Sequence, residues 1–316
     1  MESFVNCIIK SRNALISTSY IRGSSNSRYV LTRPFTIATN PRPLLLSHTI
    51  FEPTKSEQVP PLLITHGLLG SKQNWTSIAK SISRNTNRRV ITFDGRNHGD
   101  SPHDNEMSYN AMVEDVRHLA QHLRLSEFSL LGHSMGGVTS MSFALKYPEF
   151  LEKLIIVDIA PTVLGSGEFS GNEYYLKAML DAKFQNSGVT LSNIRKLLDK
   201  TLEPVVKDKA VRAFILTNLA QNDEAGVHWK PNLPILLKYI KGFREFPPEL
   251  KQKRFTKPAI FIRGGKSPYV PDEELPEIKQ IFPNAEIATM PNSGHWCHAD
   301  NPTEFLNILL TFLQKV

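Results

Sequence analysis

A serine between glycines is the residue whose setting most clearly suggests chemistry in this sequence. The pattern Gly-x-Ser-x-Gly occupies residues 132–136, with Ser134 at its centre. An apolar run over residues 128–131 precedes it and a helix-like segment over residues 138–147 follows it, which predicts a strand, a sharp turn and a helix. Such a turn projects the serine hydroxyl from a sheet edge, beside a helix N-terminus that favours negative charge. The pattern also occurs by chance in glycine-rich turns, but this context predicts a nucleophilic serine.

A base must accompany the serine, because acyl transfer through a hydroxyl requires removal of its proton. The histidines that follow Ser134 are His228, His295 and His298. His295 is the favoured base because it lies in a Gly-His loop after the last predicted strand, at the edge where the carboxyl ends of strands meet. We expect His298 to lie on the surface at the start of the last helix, and His228 to have a structural role in a lid.

An acid must orient the base, and two aspartates are candidates. Asp158 directly follows the apolar run of residues 154–157. A carboxylate that ends a buried strand requires a partner, and an imidazole would provide one. Asp272 is the alternative, farther along the chain at the start of a predicted helix over residues 272–281. Asp158 is the preferred acid, although a purely structural role at the strand end stays open for it.

Two backbone N–H groups are expected to bind the oxyanion. One belongs to Met135, directly after the serine, and the other to Leu68, in the loop after a predicted strand over residues 62–65. His98 and Asp100 lie in the next loop at the same sheet edge, and we expect them to hold that loop rather than bind a metal. The predicted chemistry requires no metal and no organic cofactor.

Strands and helices alternate along most of the chain. Short apolar runs read as buried strands, and the segments between them carry helical periodicity. This alternation predicts an α/β fold, with a mostly parallel central sheet and helices on both faces. The alternation stops over residues 161–248, which read as a helical lid with helices at 174–181, 191–201, 209–219 and 233–241. The predicted catalytic domain spans residues 43–316.

The first 42 residues differ in composition from the rest. They contain six of the 37 basic residues and one of the 30 acidic residues, together with abundant serine and threonine. This composition is typical of a transit peptide for mitochondria or plastids, which we expect to be disordered and cleaved near residues 33–36. A disordered tail without a targeting role is the alternative.

The remaining composition argues against several classes of protein. Without the leader, 31 basic residues face 29 acidic ones, so the domain has no excess charge that would favour nucleic acid. No apolar stretch is long enough to predict a membrane span. Cys7 lies in the leader, and Cys297 alone cannot form a disulfide within the domain, which fits a reducing compartment.

Several motifs together resemble the α/β-hydrolase superfamily. They are His66-Gly67-Leu68-Leu69-Gly70-Ser71, the loop at residues 94–103, and Gly132-His133-Ser134-Met135-Gly136-Gly137. The motifs at residues 157–161, 264–270 and 294–296 are similar to those of one branch, which contains a mitochondrial member and bacterial esterases. The resemblance extends over residues 44–314 and includes the lid segment Leu216-Thr217-Asn218-Leu219.

The resemblance implies further properties. Many relatives carry the acid where this sequence has Ser267, whereas in this branch the acid matches Asp158. The branch also implies a mitochondrial matrix location, esterase or diacylglycerol lipase activity, and an association with the 2-oxoglutarate dehydrogenase complex. Fungal relatives act as alcohol acetyltransferases.

Together these features predict a serine hydrolase of carboxylic esters. Ser134 would form an acyl-enzyme with a small ester or an acylglycerol, His295 would move the proton, Asp158 would orient His295, and water would release the acid. An alcohol acyltransferase that uses the same three residues is one alternative. A protein that binds a lipid or a partner enzyme without catalysis is another.

Overall fold

The computed structural model describes residues 6–11, 14–19, 41–55, 59–162, 166–183, 190–222 and 226–315. The chain divides into two compact units, Met1–Pro41 and Arg42–Val316. In the first unit, strands β1 (Asn6–Ser11) and β2 (Ala14–Ser19) pair in antiparallel orientation, which differs from the disorder expected for the leader. The expected cleavage region, residues 33–36, lies outside the described residues, and the targeting role stays a prediction.

The second unit contains the sheet that positions the site. Its strands are β3 (His48–Phe51), β4 (Leu62–Thr65), β5 (Val90–Phe93), β6 (Phe128–His133), β7 (Leu151–Val157), β8 (Leu219–Asn222), β9 (Gly226–Trp229), β10 (Ala259–Gly264) and β11 (Ala285–Met290). Seven of them form one sheet in the order β11-β10-β7-β6-β4-β5-β3. Only β3 runs antiparallel to its neighbour within this sheet, so the predicted α/β fold is confirmed.

Helices cover both faces of the sheet and form most of the lid. They are α1 (Thr76–Thr86), α2 (Tyr109–His122), α3 (Met135–Lys146), α4 (Ser166–Asp181), α5 (Leu191–Leu202), α6 (Lys209–Leu216), α7 (Leu233–Tyr239), α8 (Leu275–Ile281), α9 (Cys297–Asp300) and α10 (Pro302–Gln314). Within the described part of the chain, no helix is long and apolar enough to cross a membrane.

Alternate residues of the central strands point to two separate hydrophobic clusters. In β4, Leu62 and Ile64 join the cluster that contains α1 and α10, whereas Leu63 joins the cluster that contains α2 and α3. Both faces of the central strands are therefore buried, which explains why these strands read as continuous apolar runs in the sequence. Since the parallel strands all end at one edge, the loops after β4, β6, β7 and β11 meet there.

The lid, residues 161–248, is mainly helical as predicted, but it also contains two strands that the sequence did not predict. Helix α6 ends at Leu216, and β8 and β9 then form an antiparallel hairpin. Leu219 and Val227 are its buried residues, whereas Gln221 and Asn222 are exposed. Two short segments that each bury so few residues give too weak a periodic pattern for the sequence to identify them.

Candidate active site

Ser134 lies at the predicted turn between β6 and α3. Its φ of 53° and ψ of −120° are uncommon for a residue with a side chain, and such conformations cost about 1–3 kcal/mol. The flanking glycines make the turn possible: a Cβ on Gly132 would lie 2.2 Å from the Gly136 oxygen, and one on Gly136 would lie 2.5 Å from the His66 oxygen. The sequence therefore holds Ser134 in a strained, outward-facing position, as the Gly-x-Ser-x-Gly pattern predicts.

Asp158 and His295 form a direct hydrogen bond across the sheet edge. Nδ1–H of His295 donates to Oδ2 of Asp158 over 2.7 Å, although 137 residues separate them in the chain. Asp158 is buried, follows β7, and has a φ of 52°. In a neutral ring, donation from Nδ1 leaves Nε2 as the proton acceptor. The ring is therefore held in the tautomer that a general base requires.

Two more donors satisfy the Asp158 carboxylate. The N–H of Gly264 donates to Oδ1 over 2.8 Å, and the hydroxyl of Ser267 donates to Oδ2, the oxygen that also accepts from His295. A buried carboxylate requires such partners, because desolvation otherwise opposes its charge. Asp272, the alternative acid, is 78% exposed and pairs with Arg263 over 2.6 Å, so the structure does not bring it to His295.

Aromatic rings pack around His295. The ring of Tyr269 stacks on it with centroids 3.9 Å apart, and Trp296 lies edge-on at 5.7 Å. On the other side, Nε2–H of His133 donates to the His295 carbonyl over 2.9 Å. Burial lowers the pKa of His133 well below its ordinary value, so this ring is a neutral support. The imidazole of His295 therefore has little freedom to rotate away from Asp158.

The other two candidate histidines are His298, which lines the same cavity as Ser134 without a bond to Asp158, and His228. The expectation that His298 lies on the surface is wrong: it is 7% exposed and stacks on Trp75 with centroids 4.0 Å apart. The short helix α9 turns its ring inward, and burial lowers its pKa to about 3. His228 lies in β9 of the lid, where Nδ1–H donates to the Gly226 carbonyl over 3.1 Å, and it does not line the cavity described below.

The loop after β4 approaches Ser134 through its backbone. A Cβ on Gly67 would lie 3.0 Å from the Cβ of Ser134, so a larger residue would crowd the serine. Leu68, the expected oxyanion donor, lines the same cavity as Ser134. Met135 is the first residue of α3, where a backbone N–H has no acceptor within the helix. One expected donor thus directly follows the serine in the chain, and the other lines the cavity that the serine lines.

The side chain of His66, which the sequence did not single out for this role, holds the Gly67–Leu68 peptide together with a backbone N–H. The Gly67 carbonyl accepts from Nδ1–H of His66 over 2.7 Å and from the N–H of Gly70 over 2.9 Å. Because the peptide is planar, fixing this carbonyl also fixes the opposite direction of the Leu68 N–H. Nε2 of His66 accepts from the N–H of Gly95 over 3.0 Å, and burial lowers the pKa of His66. The His66 ring is therefore neutral, and both of its nitrogens form hydrogen bonds.

His98 and Asp100 hold the loop after β5, as expected. Nδ1–H of His98 donates to the Arg96 carbonyl over 3.0 Å, and its Nε2 accepts from the N–H of Leu69 over 3.1 Å. Asp100 pairs with Lys72 and with Lys230, each over 2.6 Å. Among the described residues, no cluster of three or more histidine, cysteine or acidic side chains could hold a metal ion.

Ser134 and His295 line a cavity of about 300 Å³ between the sheet edge and the lid. The sheet contributes polar groups, and the lid contributes mainly apolar side chains. The lid residues that line it are Gly171, Asn172, Tyr175, Asp208, Val211, Phe214 and Ile215. Among the described lining residues, the one acidic side chain is Asp208, whose carboxylate caps the N-terminus of α6. The cavity therefore combines an apolar wall with the serine, the imidazole and the loop after β4.

Comparisons with known proteins agree with this geometry. A family described as alpha/beta hydrolase fold matches residues 60–302. The chain is 40% identical to the sn-1-specific diacylglycerol lipase ABHD11 of Mus musculus, over 86% of each chain. It is 32% identical to a probable alcohol acetyltransferase of Saccharomyces cerevisiae, over 81% of this chain and 78% of that protein. The solved structure of a marine microorganism esterase superposes with a TM-score of 0.77 at 33% identity, over 85% of this chain and 99% of that one.

Proposed function

The chain belongs to the α/β-hydrolase fold family and is a carboxylic ester hydrolase, and we propose that it hydrolyses acylglycerols through an acyl-enzyme on Ser134. The observation that carries this proposal is the 2.7 Å bond between His295 and Asp158, beside a strained Ser134 in the same cavity. A nucleophile, a base in the correct tautomer and an orienting acid are the three parts that serine catalysis requires.

The first half of the reaction forms the acyl-enzyme. Oγ of Ser134 attacks the ester carbonyl while Nε2 of His295 removes its proton, and Asp158 stabilises the resulting imidazolium. The carbonyl oxygen becomes an oxyanion and accepts from the N–H groups of Leu68 and Met135. When the tetrahedral intermediate collapses, the bond to the leaving alcohol breaks and His295 donates the proton to that alcohol.

The second half of the reaction releases the acid. His295, neutral again, removes a proton from water, and the resulting hydroxide attacks the acyl carbonyl. The same two N–H groups bind the second oxyanion. Collapse of this intermediate breaks the bond to Ser134 and returns the proton from His295 to its Oγ, so the enzyme is restored and one water molecule is consumed.

The walls of the cavity support an uncharged ester with an acyl chain. Tyr175, Val211, Phe214 and Ile215 provide an apolar surface from the lid, which favours burial of hydrocarbon. Asp208 places negative charge at the same wall, which disfavours anionic substrates and favours uncharged esters such as acylglycerols. The lipase name of the mouse relative supports the same substrate class.

The cellular setting is part of the proposal. We place the enzyme in the mitochondrial matrix, because the leader carries six basic residues against one acidic residue, which predicts an address in mitochondria or plastids, and the family resemblance favours the matrix. The association with the 2-oxoglutarate dehydrogenase complex, implied by the family resemblance, stays a prediction. A purely binding role is disfavoured, because a binding protein has no need of a strained serine beside an imidazole held by a buried carboxylate.

The yeast relative supports a second candidate function, in which an alcohol replaces water as the acyl acceptor. The two functions are separated by incubating the enzyme with 1,2-dioctanoylglycerol, with and without ethanol, and measuring free fatty acid and ethyl ester by mass spectrometry. We expect fatty acid to be the main product even with ethanol present. Ethyl ester as the main product would instead identify an acyltransferase, and no product above a Ser134→Ala control would reject both.

A further inference from the structure

Three consecutive peptide groups of the loop after β4 are each held by a different anchor. The Gly67–Leu68 peptide is held through its carbonyl by His66 and Gly70. The next peptide is held through the N–H of Leu69, which donates to Nε2 of His98 over 3.1 Å. The third is held through the carbonyl of Leu69, which accepts from Nδ2–H of Asn218 over 2.9 Å. The first two anchors belong to the sheet domain, whereas Asn218 belongs to the lid.

Asn218 is built into the lid as a fixed donor. It is 4% exposed and lies between α6 and β8, within the Leu216-Thr217-Asn218-Leu219 segment. Its Nδ2 also donates to the Ile215 carbonyl over 3.2 Å, and the backbone carbonyl of Asn218 accepts from the N–H of Lys230 over 2.9 Å. These bonds fix the Asn218 amide relative to the rest of the lid. Its hydrogen bond to the Leu69 carbonyl therefore depends on the position of the lid.

Leu69 itself needs this support. It has a φ of 59°, a left-handed conformation that a residue with a branched side chain rarely adopts. Such a conformation persists where the surrounding structure determines it, and here the N–H and the carbonyl of Leu69 are each bound by a buried side chain. The preceding residue is Leu68, whose N–H is the expected oxyanion donor, so a rotation at Leu69 would disturb the neighbouring peptide that carries this donor.

We propose that Asn218 is a positioning residue through which the seated lid completes the oxyanion-binding conformation of the loop after β4. In this arrangement the hydroxyl of Ser134 and the base are in place without the lid, whereas Asn218 fixes the Leu69–Gly70 peptide, whose N–H donates to the Gly67 carbonyl and so directs the Leu68 N–H. Closure of the lid over a substrate and stabilisation of the oxyanion are thereby one event. The inference rests on the proposed serine-hydrolase function and adds to it a role for the lid.

The substitutions Asn218→Asp and Asn218→Ala test the proposal in the full-length chain. The first keeps the shape of the side chain but replaces the donor with an acceptor, and the second removes the donor and leaves the Leu69 carbonyl free. Loss of one oxyanion donor lowers kcat by about 10²–10³, so displacement of one should lower kcat by at least about tenfold. KM for p-nitrophenyl butyrate should change by less than about twofold, because the donor acts mainly in the transition state.

A second readout separates oxyanion binding from general loss of structure. An aliphatic trifluoromethyl ketone accepts Oγ of Ser134 at its carbonyl carbon while the serine proton passes to His295, which leaves an oxyanion in the hole. Its inhibition constant should rise in both Asn218 variants by the same factor by which kcat/KM falls. Tyr109→Phe is the matched control, because the Tyr109 hydroxyl makes a buried bond of 3.0 Å to the lid carbonyl of Phe243, away from the loop.

The outcomes are distinct. Asn218 variants that lose turnover and inhibitor affinity in parallel, while Tyr109→Phe retains both at a similar melting temperature, support the proposal. Asn218 variants with near-native kcat, or variants that change KM alone, overturn it. If Ser134→Ala retains the turnover of the unsubstituted protein, the proposed function itself fails, whatever the Asn218 variants do.

Discussion

Ser267 and Asp158 are joined by a hydrogen bond in which the serine hydroxyl donates to Oδ2, the same oxygen that accepts Nδ1–H of His295. Ser267 occupies the position after β10 where many α/β hydrolases carry the acid itself. Here the carboxylate comes from the end of β7 instead, and Ser267 supplies a donor to it. The acid and Ser267 therefore follow neighbouring strands of the sheet, and Asp158 joins Ser267 to His295.

Ser267→Ala tests whether this hydroxyl assists the reaction. Loss of a hydrogen bond to a charged group costs about 1.5–3 kcal/mol, so we expect kcat to fall by about tenfold while KM is retained. Ser267→Thr keeps the hydroxyl at a half-buried site and should retain most of the activity. Steady-state kinetics on p-nitrophenyl butyrate would show equal turnover in both variants if the hydroxyl has no such role.

Asp158→Asn tests the acid. Asparagine tolerates the left-handed backbone of this position, so the fold should be retained. An amide favours the wrong tautomer of His295, and we expect kcat to fall by about 10³–10⁴. Asp272→Asn breaks only an exposed ion pair and should change kcat by less than about tenfold. Near-native turnover in Asp158→Asn, with a lowered melting temperature, would assign Asp158 a structural role instead.

His298 should make stability depend on pH. Burial lowers its pKa to about 3, whereas in the unfolded chain it titrates near its ordinary value of 6.5. Between these values the unfolded state binds a proton that the folded state does not, so acidification from pH 7 to 5 lowers the free energy of unfolding by about 2 kcal/mol through this residue. The contribution of His298 to the free energy of unfolding is therefore fully present above pH 6.5 and declines below it.

His298→Phe removes this contribution and keeps an aromatic ring against Trp75. Urea unfolding at pH 7 and pH 5 should then show a loss of stability about 2 kcal/mol smaller than in the unsubstituted protein. His122→Gln, at an exposed histidine, is the control and should leave the difference unchanged. If His298→Phe loses as much stability between pH 7 and pH 5 as the unsubstituted protein does, His298 is not held in its neutral form by burial.

The leader should direct a passenger protein to mitochondria. We expect a fluorescent protein that carries residues 1–42 to enter the matrix, because the leader has six basic residues and one acidic residue. Replacing the six basic residues with glutamine should abolish import. Microscopy that shows the unsubstituted fusion in the cytosol with its leader intact would reject the prediction.

The sequence predicted well what depends on residues close together in the chain. Strand β4 was identified at its observed bounds, because it is a short apolar run between turns. The turn at Ser134 was identified for the same reason. The carboxyl edge followed from the parallel topology, and it led to Asp158 and His295 as partners.

The sequence predicted poorly what depends on contacts between distant residues. His298 was expected on the surface because nothing near it indicates that its ring meets Trp75, more than two hundred positions earlier. Ser267 was noted as an absent acid, and its donation to Asp158 emerged only from the fold. Asn218 was part of a recognised segment, but its bond to Leu69 joins residues 149 positions apart.

The most direct test of the central claim is to locate the adduct formed by a fluorophosphonate. Oγ of Ser134 should attack the phosphorus with loss of fluoride, and the phosphonyl group should be found by tandem mass spectrometry on the peptide that contains residues 132–136. We predict that Ser134→Ala abolishes both this adduct and ester hydrolysis, with a fall in kcat of about 10⁴ or more and an unchanged melting temperature. An adduct on another residue, or turnover that survives Ser134→Ala, would contradict the account.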